Sequence, residues 1–160
     1  MNSDVDSKTG FWDGYNYTAP PSFLQLGASF HMLHTYAYFN QSWQNPAALL
    51  DWTMKLQQAN GFWQSDYSFC PDIDGTFTMI HASLQCGRAR WDEVRAHCLR
   101  YLTSAEKTLN NRTFVFEKYN NTHPMHGALL AILTCQSYFP ELNVVTKRTW
   151  RSAINAACFY

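Results

Sequence analysis

The clearest pattern in the chain is an alternation between stretches that are apolar on nearly every helical face and stretches with a single apolar stripe. Residues 23–39 form the first almost continuously apolar stretch, which is typical of a helix buried on all sides. Residues 46–58 come next, with Asp51 and Lys55 opposite an apolar stripe, and this predicts a half-exposed amphipathic helix. The alternation therefore predicts helix pairs in which the first helix is enclosed by protein.

The same alternation occurs twice more along the chain. The later helices are predicted, in order, at about residues 72–87, 91–110, 125–139 and 146–160. Asp72 or Asp74 is expected to cap the third helix, because a carboxylate before a helix accepts hydrogen bonds from its free N–H groups. Residues 111–123 are predicted to be a loop. Six helices in three αα-hairpins are therefore expected.

A turn motif recurs at a constant spacing between these hairpins. Gly10-Phe11-Trp12 lies 51 residues before Gly61-Phe62-Trp63, and such self-similarity is the signature of stacked repeats. Residues 1–160 are thus predicted to be one domain of three repeats, at about 10–60, 61–112 and 113–160.

Such an array can have one of two overall shapes: an open superhelix, or a closed ring of inner and outer helices. A solenoid leaves one face of each repeat in water, so first helices that are apolar on all faces favour the ring. The predicted fold class is all-α, an α/α toroid. A closed ring needs about twelve helices, so about six helices would form part of one.

Composition and charge exclude some partners. Twelve basic residues balance twelve acidic ones and no run of Lys or Arg occurs, so neither nucleic acid nor an anionic membrane surface is expected as a partner. The apolar stretches are too short or too polar to predict a membrane-spanning helix. Aromatic residues make up 16% of the chain and charged residues 15%. This composition predicts a large apolar surface that either packs in a core or lines a cavity.

Cysteines and sequons give opposite indications about the compartment. The five cysteines are odd in number and lack CxxC spacing, which is typical of buried thiols in a reducing compartment. The first residues lack the basic and apolar regions of a secretory signal, so a cytoplasmic location is favoured. Glycosylation sequons, which would require a secretory route, nevertheless occur at Asn16, Asn40, Asn111 and Asn120.

The residues between the second and third helices resemble a known family. Gln57-x-x-x-Gly61-x-Trp63 matches the QW motif of the class II terpenoid cyclases, the squalene–hopene and diterpene cyclase group. The α/α toroids of that group are related to the protein prenyltransferase β-subunits. Weaker counterparts of the motif stand at Asp6-x-x-x-Gly10-x-Trp12 and around Phe114.

The segment from Cys70 to Thr76 is similar to the P-D-x-D-D-T segment of the same family. The resemblance implies that Asp74 is the proton donor and Asp72 its partner, while Gly75 stands where the family has a third carboxylate. Such a donor starts a carbocation cascade by protonating an alkene or epoxide, and aromatic faces then stabilise the cation. The zinc site of the prenyltransferases needs a cysteine where Asp74 stands, so no cofactor or metal is expected.

Other side chains are candidates for the same site. Trp12, Phe62, Trp63 and Tyr67 could line a cavity or stack on sugar rings, although the resemblance implies that QW aromatics mainly pin loops. The remaining candidates are histidines: His81 as a catalytic residue, because it follows Asp74 along the same helix, and His126 as a substrate-binding residue near one rim. The histidine pairs 31/34 and 123/126 lack a third ligand at diagnostic spacing, and no metal site is predicted.

Three functions remain open, and the sequence does not decide whether the protein is an enzyme. The first is cyclisation of an isoprenoid, or binding of an apolar ligand by a degenerate relative. The second is a carbohydrate-active toroid of the glycoside hydrolase or polysaccharide lyase type, with Asp72, Asp74, Glu117 and His126 at one rim. The third is a non-catalytic helical-repeat scaffold, in which Asp72 and Asp74 are only helix caps. The expected partners are accordingly a small-molecule or oligosaccharide ligand and further repeats of the same toroid.

Overall fold

The described part of the chain is built from α-helices. The computed structural model describes residues 4–12, 21–64, 66–120 and 122–142. The helices are, in chain order, α1 (Phe23–Tyr38), α2 (Pro46–Leu56), α3 (Cys70–Gln85), α4 (Trp91–Leu109), α5 (Arg112–Lys118) and α6 (Thr122–Tyr138). In these ranges the only β-pairing is an isolated bridge between Val5 and Trp12. The all-α prediction is confirmed for these residues, and the helix predicted at 146–160 lies outside them.

The structure differs from the predicted elements in two places. Residues 112–118 form the short helix α5 instead of a loop, and the Asn111 side chain caps it by accepting a hydrogen bond from Phe114 N at 3.1 Å. The third helix begins at Cys70, before both carboxylates that were expected to cap it. Phe69 is the residue before the helix, so Asp72 lies at its third position and Asp74 lies inside it.

α3 is the central helix of the described residues. It contacts α1, α2, α4 and α6, and α4 also contacts α6. Every residue from 71 to 80 is buried, so one turn after another of α3 is covered by its neighbours. Helix α3 therefore has the enclosed position that its apolar pattern predicted.

The first helix is less enclosed than predicted. In α1, Leu26 and Leu33 are fully buried, whereas Leu24 is 57% exposed and Tyr38 76% exposed. The prediction that every leading helix is enclosed on all sides is therefore wrong for α1. The reason is that α1 presents one flank to α3 and leaves the other to solvent.

Two glycine turns meet successive amphipathic helices in the same way. Gly10 has φ +72°, and a Cβ there would lie 2.5 Å from Leu49 N in α2; Gly61 has φ +89°, and a Cβ there would lie 2.8 Å from Arg100 O in α4. Leu49 and Arg100 are separated by the same 51 residues as the two glycines. At both turns the left-handed backbone and the close approach of a helix backbone require glycine.

None of the helices in the ranges that the structure covers is both long enough and apolar enough to cross a membrane.

Candidate functional site

The candidate site is built on two opposite sides of α3. Residues four, seven and eleven positions apart share one face of a helix, and this places Cys70, Asp74, Phe77 and His81 together. We call these four residues the inner face of α3; α1 and α6 lie against it. Asp72 and Gly75 lie on the other side, against residues 57–69, and we call this the loop side.

The carboxyl group of Asp72 accepts hydrogen bonds from two backbone donors. Its Oδ1 accepts a hydrogen bond from Trp63 N and its Oδ2 accepts one from Phe69 N, both at 2.9 Å. The side chain is 1% exposed. Burial raises the pKa of Asp72 to about 7, although these two N–H groups and the Ser68 side chain act to lower it. Its position in the first turn of α3 also favours negative charge, so Asp72 is the member of the pair that has direct contacts opposing the effect of burial on its charged form.

Asp74 has the opposite environment. It is 8% exposed, and its Oδ2 faces α1 where a Cβ on Gly27 would lie only 3.2 Å away. No residue in the described ranges donates a hydrogen bond to its carboxyl. Burial, with a smaller contribution from the charge of Asp72, raises the pKa of Asp74 to about 7. A carboxyl group in this state keeps its proton close to neutral pH and can act as a general acid.

Gly75 is required by the position of Trp63. A Cβ on Gly75 would lie 2.3 Å from Cε2 of the Trp63 ring, a distance at which two carbon atoms overlap. The ring is fixed because its indole N–H donates a hydrogen bond to Thr53 O at 2.9 Å. No side chain fits at position 75 while Trp63 packs there.

Gln57 ties the loop side to α4. Its Nε2 donates hydrogen bonds to Gly61 O at 2.9 Å and to His97 O at 3.1 Å, and its Oε1 lies 2.6 Å from His97 Nδ1. The three residues of the QW pattern, Gln57, Gly61 and Trp63, thus all contact neighbouring helices. Their contacts position the Trp63 N–H that binds Asp72.

His81 lies on the inner face with an aromatic neighbour from α6. Its Nε2 is 3.3 Å from the hydroxyl oxygen of Tyr138, and its ring stacks on Phe77 with centroids 3.9 Å apart. Burial, with a smaller contribution from His34, lowers the pKa of His81 to about 4. At neutral pH the imidazole is therefore uncharged and able to accept a proton.

Aromatic rings from α1 complete this side of α3. Phe30 packs edge-to-face on Phe77 with centroids 5.3 Å apart, and His34 lies 5.5 Å from the same ring. Phe77 is thereby enclosed between α1 and His81. Aromatic faces of this kind attract positive charge when water is excluded.

The remaining predicted binding residues are not gathered at Asp74. Phe62 and Trp63 are each 2% exposed and belong to the core on the loop side. Tyr67 is half-buried and stacks on Phe69 with centroids 5.4 Å apart. Trp12 is half-buried, and its backbone N–H donates to Ser29 Oγ at 2.8 Å. His126 is exposed on α6.

Two contacts of the inner face were not predicted from the sequence. Cys70 Sγ lies 3.0 Å from His123 Nε2, and Tyr138 is the neighbour of His81 described above. Cys70 could have been predicted as a site residue, because its spacing from Asp74 and His81 places all three on one face of the helix. No group of three or more potential metal ligands is arranged to hold a metal ion among the residues described.

A separate cavity lies on the loop side, away from Asp74. Its volume is about 460 Å³, and it opens between residues 59–62 with Asp66 on one side and helices α4 and α5 on the other. The lining side chains include Phe62, Asp66, Ser104, Lys107, Asn111 and Phe114.

Comparisons with known protein families, curated proteins and solved structures found no match. Function is therefore inferred from the side chains and their surroundings.

Proposed function

We propose that the chain forms part of an α/α toroid of the terpenoid cyclase type and that Asp74 protonates an alkene or epoxide of an isoprenoid substrate. The observation that carries the proposal is the difference between the two carboxyl groups of α3. Asp72 accepts two backbone hydrogen bonds, whereas Asp74 is buried with none from the described residues. Such a pair has one member suited to holding the charge and one suited to holding the proton.

The helix arrangement supports the toroid. The leading helices α1 and α6 both contact α3, while α2 packs on α3 and α4 packs on α3 and α6. The glycine turns at Gly10 and Gly61 repeat the same approach to a second helix. An inner row of leading helices with the second helices behind them is the arrangement that a toroid requires.

The proposed chemistry uses the groups of the inner face in sequence. The carboxyl proton of Asp74 is transferred to one carbon of the substrate double bond, whose π electrons form the new C–H bond and leave a cation on the other carbon. The ring of Phe30 lies on the same side of α3 as Asp74 and would stabilise that cation. His81, which is uncharged at neutral pH, would accept the proton released when the cation collapses to an alkene.

The experiment is an assay with three isoprenoids of different starting chemistry. Squalene, oxidosqualene and geranylgeranyl diphosphate are each incubated with the protein, and products are analysed by gas chromatography and mass spectrometry. We expect cyclic products from at least one substrate, loss of product in Asp74→Asn, and full activity in the control Asp51→Asn, which changes an exposed carboxylate of α2. Absence of both product and ligand-induced thermal stabilisation with all three substrates would reject the proposal.

The carbohydrate alternative is less well supported. A glycoside hydrolase needs a second available carboxylate about 5–9.5 Å from the acid, and the Asp72 oxygens are occupied by backbone N–H groups. Glu117 and His126 are exposed on α5 and α6 and would have to supply this function. Release of sugars from an oligosaccharide panel, lost in Glu117→Gln, would favour this alternative. If the protein is inactive on both substrate classes, the non-catalytic helical-repeat scaffold remains as the function.

A further inference from the structure

A thiol and an imidazole meet at the first turn of α3, in a pair that the proposed cyclisation does not use. Cys70 Sγ lies 3.0 Å from Nε2 of His123, which is supplied by α6 and is 53 residues away in sequence. Gly127 lies one turn after His123, and a Cβ there would lie 2.6 Å from Cys70 N. The glycine lets the two helices approach closely, so helix packing fixes the contact.

Both members of the pair can be reached from solvent. Cys70 is half-buried and His123 is exposed. Cys70 is also the first residue of a sixteen-residue helix, where the helix dipole favours a developing thiolate. The position therefore suits a nucleophile better than the fully buried Cys98 and Cys135 do.

A base is needed because the resting thiol keeps its proton. Burial raises the pKa of the Cys70 thiol, and the nearby carboxyl groups of Asp74 and Asp72 raise it further. A protonated thiol gains reactivity when an adjacent group removes its proton during attack. With its ring proton on Nδ1, His123 would accept the thiol proton through Nε2, which lies at hydrogen-bonding distance from Sγ.

We propose that Cys70 and His123 form a nucleophile–base pair that adds to neutral carbon electrophiles of the α,β-unsaturated carbonyl class. The Sγ–C bond forms at the β-carbon, and the π pair of the double bond moves toward the carbonyl to give an enolate. The thiol proton passes to His123 Nε2 and then to the α-carbon, so no leaving group or oxidant is required. A neutral electrophile is specified because a negative charge on Asp72 near Cys70 disfavours an anionic one.

The test is competitive alkylation with N-ethylmaleimide, followed by peptide mass spectrometry. Cys86 is the internal control: it is also half-buried, lies just after the other end of α3, and no described residue forms a hydrogen bond with its thiol. We expect Cys70 to react about tenfold faster than Cys86, a modest part of the hundredfold or more that a positioned base typically contributes. His123→Gln should remove this advantage, whereas His126→Gln, a matched change at the next histidine of α6, should preserve it.

Equal rates at Cys70 and Cys86 in the unaltered protein would overturn the proposal without any variant. It would equally be overturned if Cys70 kept its advantage in His123→Gln. The Cys86 rate checks the fold of each variant, because it should stay constant while only the Cys70 rate changes.

Discussion

The two sides of α3 carry the same chemical group in opposite surroundings. Asp72 on the loop side and Asp74 on the inner face are two residues apart, and each is less than a tenth exposed. Asp72 accepts hydrogen bonds from Trp63 N and Phe69 N, whereas Asp74 faces α1 at Gly27 with no hydrogen bond from the described residues. The comparison teaches that the path of the chain before α3, and not burial, decides which of the two carboxyl groups accepts backbone hydrogen bonds.

The largest effect is expected from placing a carboxylate at position 75. Gly75→Asp places a side chain within the Trp63 ring and should cost about 4 kcal/mol of unfolding free energy or more, because overpacking and a buried charge add. Urea denaturation measures this loss of unfolding free energy. The control is Gly87→Asp, where no atom lies within 4 Å of the added Cβ. Equal stability of the two variants would show that Trp63 does not restrict position 75.

The same substitution at the two aspartates tests the comparison itself. Asp72→Asn turns an acceptor into an amide that opposes a buried N–H donor, and we expect a loss of about 2–3 kcal/mol. Asp74→Asn removes a buried carboxyl without such partners and should change stability by less than about 1 kcal/mol. Denaturation curves of the two variants give both values. Equal losses would mean that the two carboxyl groups do not differ in the way described.

A substitution in the turn tests whether the loop path positions the Asp72 donors. Gly61→Ala forces a side chain toward Arg100 O at positive φ, and we expect a loss of about 2 kcal/mol. Gly87→Ala also has positive φ but open space, so it should cost only about 1 kcal/mol. The additional loss of unfolding free energy at Gly61, compared with Gly87, measures the contribution of the contact with α4. Equal losses at the two glycines would indicate that this contact does not stabilise the turn.

The smallest effect, measured per pH unit, is a pH dependence of stability carried by Asp74. Its folded-state pKa of about 7 lies above the unfolded value near 4, so the folded state binds more protons between these values. Stability therefore falls as pH rises from about 4 to about 7, by at most about 1.4 kcal/mol per pH unit. Subtracting the curve of Asp74→Asn isolates this slope from that of Asp72, whose pKa is also raised to about 7, and from the opposite slope of His81, whose pKa is lowered to about 4. A difference curve without slope would refute the raised pKa of Asp74.

Helix positions were largely predictable from the sequence, because α1 to α4 have long apolar patterns and recognisable boundaries. Helix α5 was missed because its seven residues include none that is buried, so no apolar stripe marks it. The start of α3 was misplaced because Asp72 acts from inside the helix, reaching back to the Phe69 N–H. A carboxylate near a helix start is usually expected at the residue before the first turn, and the helix was therefore predicted to begin after it.

The site was predictable only in part. The resemblance selected Asp72 and Asp74, but which of them accepts the Trp63 N–H depends on the path of the intervening loop. The Cys70–His123 and His81–Tyr138 contacts join residues more than fifty positions apart. Such contacts depend on how closely α3 and α6 pack, which Gly127 permits and which no local pattern reveals.

The most direct measurement is an NMR titration of the two side chains in protein labelled with ¹³C at the aspartate carboxyl carbons, with Asp72→Asn and Asp74→Asn used for assignment. We predict that Asp74 titrates with a midpoint near pH 7 and that Asp72 stays ionised to a lower pH than Asp74. A midpoint of Asp74 near pH 4, or a proton that stays on Asp72 after Asp74 has ionised, would contradict the assignment of Asp74 as the proton donor.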